Sequence, residues 1–147
     1  MFSVEASVRI NAPANRVFEV LRDPQAYSRW IPDVVRVESA GPLVQGGRFS
    51  EVTLFGGREK LSQGVVAAVE PGRRLVLQIE RVVSGPGLRP RRTFELVNEG
   101  ESTTVRWRSE VATSGLMRLL EPILPGEFKR RQSKYLNLLK AEVERLD

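Results

Sequence analysis

Neither cysteine nor histidine occurs anywhere in the 147 residues. Without cysteine there is no disulfide framework, no thiolate nucleophile and no zinc–thiolate site. Without histidine there is no Ser-His-Asp triad, no Cys-His pair and no imidazole ligand for a metal. Any proton transfer falls to Asp, Glu, Lys, Tyr or bound water, and neither a metal nor a cofactor is expected. Long apolar runs are missing too. The longest are four or five residues, far short of the ~20 that span a membrane. The N-terminal MFSVEASVRI has no basic region followed by an apolar block, so no secretory signal is expected and the cytoplasm is the default location. Aromatics make up only 7% of the chain, which draws attention to its two tryptophans, Trp30 and Trp107.

Hydrophobic residues at 41% and charged residues at 28% describe an ordinary globular chain. Its length suits one domain, here 1–147, with a real core. The net charge of +5 and a pI near 10.2 raise the question of nucleic acid. The basic residues are scattered, however, over GRR (72–74), RPRR (89–92), RWR (106–108) and KRR (129–131). Several alternate with apolar residues, as solvent-facing strand positions do. A solvated basic surface is the expectation, and nucleic acid is not expected as a partner.

FSVEASVRI alternates cleanly, with Val4, Ala6, Val8 and Ile10 on one face, and predicts a half-buried strand. NAPANRVFEVL predicts a short helix with Val17, Phe18, Val20 and Leu21 on its apolar side. DPQAYSRWIP restarts with Asp23 as N-cap and Pro24 in the first helical position, and Pro32 ends it. From Val34 to Ala112 the signals are those of six further strands. Gly46-Gly47 and Gly56-Gly57 bracket one of them, and EPGRR and NEGES mark tight hairpin turns. From Ser114 apolar residues recur every three or four positions through Leu136, Leu139, Val143 and Leu146, which predicts a long helix. Continuous, it would measure about 45 Å, but Pro122 and Pro125-Gly126 should kink or break its first part.

The order of elements, together with VEASVRINAPANRVFEVLRDPQAYSRWIPDVVRVE, GGRF, VEPGRRLVLQ and RRTFELVNEGESTTVRWR, resembles the START-like, helix-grip superfamily, in its polyketide cyclase/dehydrase and lipid-transport branch. The resemblance implies an α+β fold. A seven-stranded curved antiparallel sheet, with two short helices after its first strand, wraps around a long C-terminal helix and leaves a hydrophobic cavity between them. Relatives in the superfamily include aromatase/cyclases, lipid carriers, hormone receptors and quinone-binding proteins, so the resemblance does not fix a ligand.

Strand parity names the wall. Arg106, Arg108 and Glu110 facing water turn Val105, Trp107, Ser109 and Val111 inward. Leu75, Leu77 and Ile79 are the inward set of their strand, and Phe94 and Leu96 of theirs. The strand after Gly47 gives no clear vote, and the resemblance favours Phe49, Glu51, Thr53 and Phe55 as the cavity face. Glu51 would then be a carboxylate in apolar surroundings, with its pKa raised unless a cation pairs with it. That makes it, with Thr53, a candidate catalytic or anchoring group; a local bulge or an Arg partner at the rim is the alternative. Tyr27 and Trp30 are either a core plug or the mouth of the cavity. Leu116, Leu120, Ile123 and Phe128 are the expected cover.

Three functions remain open. The first is a carrier or sensor for a hydrophobic small molecule such as a lipid, polyketide or quinone. The second is a polyketide aromatase/cyclase-like enzyme using Glu51 and Thr53, with Tyr27 or Arg81 assisting. The third is an interaction module for an acidic or ribosomal partner. A monomer or a homodimer would serve any of them.

Overall fold

The computed structural model describes residues 1–145. Strand β1 (Phe2–Ile10) leads to α1 (Ala14–Leu21), a 3-10 turn (Pro24–Ala26) and α2 (Tyr27–Trp30). Six strands follow: β2 (Val34–Glu38), β3 (Arg48–Phe55), β4 (Arg58–Glu70), β5 (Arg74–Ser84), β6 (Leu88–Glu99) and β7 (Ser102–Thr113). The chain ends in α3 (Leu116–Leu119) and α4 (Leu124–Arg145). All neighbouring strands are antiparallel, in the order β1-β7-β6-β5-β4-β3-β2.

Local chemistry places the boundaries. The Asp23 carboxylate accepts from Gln25 N at 3.0 Å, capping the turn that Pro24 opens. Gly56 and Gly57, both at positive φ, form a two-residue hairpin turn that demands that geometry twice. Gly64 matters for closeness instead, since a Cβ there would lie 2.6 Å from both Gln78 O and the Phe49 ring. The last helix is shorter than a continuous run from Ser114 would be. Its 22 residues measure about 33 Å, because Pro122 interrupts the chain and Pro125 fits only in a first turn, where its missing N–H is not needed. Among the described residues, no helix is long and apolar enough to cross a membrane. Leu146 lies outside them.

Two apolar clusters result. The larger joins α1, α2, the concave face of the sheet and Leu136, Leu139 and Val143 of α4. The smaller holds Leu88, Val111, Met117 and Leu124, with Phe2, Phe55, Leu120 and Phe128 packed on it. Between them the sheet and α4 do not meet.

Candidate functional site

That gap is a pocket of about 290 Å³, at the small end of the usual range for ligand sites, roughly 300–1,000 Å³. Its walls follow from periodicity. On α4, Leu124, Glu127, Phe128, Arg131, Gln132 and Tyr135 face it, a set spaced three or four apart and hence on one helix face. On β6, Leu88, Pro90 and Arg92 point in, and on β7 Trp107 and Ser109 do, every second residue as a strand requires. Thr53, Leu54 and Phe55 of β3, Lys60 of β4, and Ile31, Asp33 and Val34 complete it. Pro90 is tolerated in β6 because the β5–β6 ladder stops at Gln78 and Arg91, leaving no partner on that side for an N–H to serve.

Where β5 and β6 part, charges gather. The Arg92 guanidinium donates to both oxygens of Glu51, each at 2.6 Å. β3 and β6 are three strand steps apart, about 14 Å along a flat sheet, so the direct contact reflects how strongly the sheet curls. Burial would push the Glu51 carboxyl up, but the charge and hydrogen bonds of Arg92, with Lys60 nearby, outweigh that and hold it below the usual carboxylate range. Lys60 is itself buried, at 6% exposure, and its amine donates to the Leu88 carbonyl. Burial and the charge of Arg92, opposed by Glu51, bring its pKa down to about 8.

The outer rim is closed on itself. The Tyr135 hydroxyl donates to Asp33, Arg131 reaches the same carboxylate at 3.2 Å, and its Nε donates to Glu127 at 3.0 Å. Gln132 donates to the Trp107 carbonyl at 3.1 Å. Two wall atoms, the Trp107 indole N–H and the Gln132 side-chain oxygen, are buried with no partner among the described residues.

Several expected site residues lie elsewhere. Tyr27 and Trp30 are not at the mouth. Both are buried; the Tyr27 hydroxyl donates to Leu21 O at 2.6 Å, and Trp30 packs edge-on against Phe94 and Trp107 at 6.1 and 5.8 Å. Phe49, Leu77, Ile79 and Phe94 do face the concave side, but belong to the larger core below the pocket. Glu51 stands behind Arg92 rather than in the wall, and a carboxylate held ionised cannot serve as a general acid. Leu116, at the start of α3, and Ile123, beside Pro122, do not cover the cavity: they face outward, at 71% and 68% exposed. Leu120 packs on the smaller cluster. Arg81 lies exposed on β5, away from the pocket. Thr53, Phe55, Trp107 and Phe128 are the expected residues that line it.

Lys60 and Arg92 were not among the expected site residues. Arg92 sits in RPRR, which reads as surface charge. For Lys60 a compositional signal existed: the chain has four lysines against nineteen arginines, and the other three are Lys129, Lys134 and Lys140. Its strand also places it on one face with Ser62, Gly64 and Val66.

A family model described as polyketide cyclase/dehydrase and lipid transport matches residues 1–144. No curated protein matches the chain in sequence. Among solved structures, a protein from Thermus thermophilus superposes with a TM-score of 0.83 at 17% identity, over 99% of both chains. A START superfamily protein from Mycobacterium smegmatis gives 0.76 at 17%, again over 99% of both. The Zhui aromatase/cyclase from Streptomyces gives 0.73 at 18%, over 98% of this chain and 94% of that one. Likeness at these identities is one of fold, the curved sheet gripping a C-terminal helix.

Proposed function

The chain belongs to the polyketide cyclase/dehydrase and lipid transport family, and on that premise we propose that it is a carrier or sensor holding one hydrophobic small molecule in the pocket beneath α4. The observation that carries this reading is a wall of Ile31, Val34, Phe55, Leu88, Trp107 and Phe128 around about 290 Å³ of space between two packed cores. Apolar walls with a few fixed polar groups are what small-molecule sites offer. A cyclase-like reaction has less support, because the carboxylate it would draw on is tied to Arg92.

Native mass spectrometry of the freshly purified chain is expected to show a bound apolar compound that is released on denaturation. Ser109→Phe places a ring in the pocket from a position 2% exposed. It should lose that compound, and at least tenfold in affinity for an added hydrophobic probe, while circular dichroism and cooperative unfolding persist. A wild-type protein that carries nothing and binds no such probe would overturn the reading. So would a Ser109→Phe variant that binds as well as wild type.

A further inference from the structure

The polar groups of the pocket are unequally neutralised, and the imbalance selects among apolar ligands. At the rim, the half-exposed Arg131 stands between two carboxylates, Asp33 and Glu127. At the inner end the count reverses. Lys60 and Arg92 face one carboxylate, and both oxygens of Glu51 are taken up by Arg92. Lys60 makes no ion pair among the described residues; its amine meets the Leu88 carbonyl, a dipole rather than a charge. A buried ammonium whose hydrogen bond goes to a dipole, and whose one nearby carboxylate is already engaged by Arg92, is an expensive arrangement in an apolar wall. An anion supplied from the pocket would complete it. The Trp107 indole N–H, buried in the same wall without a partner among the described residues, adds a donor and no charge.

We propose that the pocket takes a monoanionic amphiphile, an acyl or aryl carboxylate, with its head group against Lys60 and Arg92 and its apolar body along Leu88, Trp107 and Phe128. This rests on the reading that the pocket holds an apolar small molecule, and adds its polar end. Lys60 selects by charge. With its amine at about 8, it is mostly charged at neutral pH. A bound carboxylate favours the charged form and raises that value in the complex, so affinity for the anion is full at neutral pH and falls as pH climbs past 8. The other titratable groups on the pocket wall are Arg92, with Glu51 behind it, and the rim set Asp33, Glu127, Arg131 and Tyr135. Arg92 stays charged throughout this range.

The test titrates the full, delipidated chain with dodecanoate and with dodecanol below their aggregation limits. Wild type at pH 7 is expected to prefer dodecanoate by about 10–100-fold, the size of one charge-assisted hydrogen bond. Raising the pH to 9.5 should erode that preference while dodecanol binding holds. Lys60→Met should abolish the preference, read as the ratio of dodecanoate to dodecanol affinity within the variant. The pH arm needs no variant, so it decides the matter even if Lys60→Met fails to fold. Equal binding of acid and alcohol by wild type overturns the head-group assignment and leaves the pocket reading standing. Dodecanoate binding that survives Ser109→Phe places the anion on the basic surface and also overturns it. Binding of neither probe overturns both.

Discussion

Replacing Arg92 with methionine is expected to destabilise the protein by about 3–5 kcal/mol at pH 7, the cost of leaving a buried charge without its partner. Net stabilities run to about 5–15 kcal/mol, so the loss would be a large share of the total. Glu51 is 4% exposed and Arg92 13%, so water cannot replace the guanidinium cheaply. The effect should depend on pH with a definite sign. In the wild type the Glu51 carboxyl is held below its ordinary value. The pair's contribution is therefore complete above the unfolded carboxyl's pKa, about 4.3, and is lost as pH falls through the folded one. In Arg92→Met, burial dominates and the carboxyl moves up, so protonation relieves the strain and the deficit narrows between pH 7 and pH 5. Adding Glu51→Leu should recover most of the loss, because an apolar pair of similar volume is often no worse than the ion pair. Urea unfolding of the three variants at both pH values reads all of this. A single variant within 1 kcal/mol of wild type would show that the pair is not the buried lock described above.

Trp30→Ala is expected to cost about 3–5 kcal/mol through the cavity it leaves. In a chain this size that lowers the melting temperature by roughly 6–20 °C. The side chain is fully buried and stacks into a cluster with Tyr27, Phe94 and Trp107. Of these four only Trp107 lines the pocket. Ligand affinity per folded molecule should therefore change far less than stability. The opposite outcome, an unchanged melting temperature with binding lost, would make Trp30 a gate and move the ligand toward α2.

The two variants also mark how far the sequence could be read. Alternation fixes which residues of β7 face inward, so Trp107 and Ser109 can be placed from the strand's pattern alone. Helix spacing does the same for Leu136, Leu139 and Val143. The tryptophan of DPQAYSRWIP could be assigned to a short helix, but periodicity does not say how deep a side chain lies. An Arg partner for Glu51 could be foreseen, but not which arginine, nor that the pair would be buried. Glu51 and Arg92 are 41 residues apart in sequence and sit on strands that are not neighbours. Their meeting depends on the curvature of the whole sheet, which no local pattern encodes. Lys60 was hidden by the same curvature, since its carbonyl partner is on β6, beyond β5.

The strand order has a consequence for how the protein is made. β1 pairs with β7, joining Phe2 to Val111, and α4 lies on β1 as well. A ribosome adding about 5–20 residues per second leaves the first strand without its hydrogen-bonding neighbour for roughly 5–20 s. During that interval the hairpins from β3 to β6 can form, but β1 has neither β7 nor α4 to close against. The sheet is sealed last, by β7 and α4, so the nascent domain stays exposed to chaperones and to aggregation until those two elements have been synthesised.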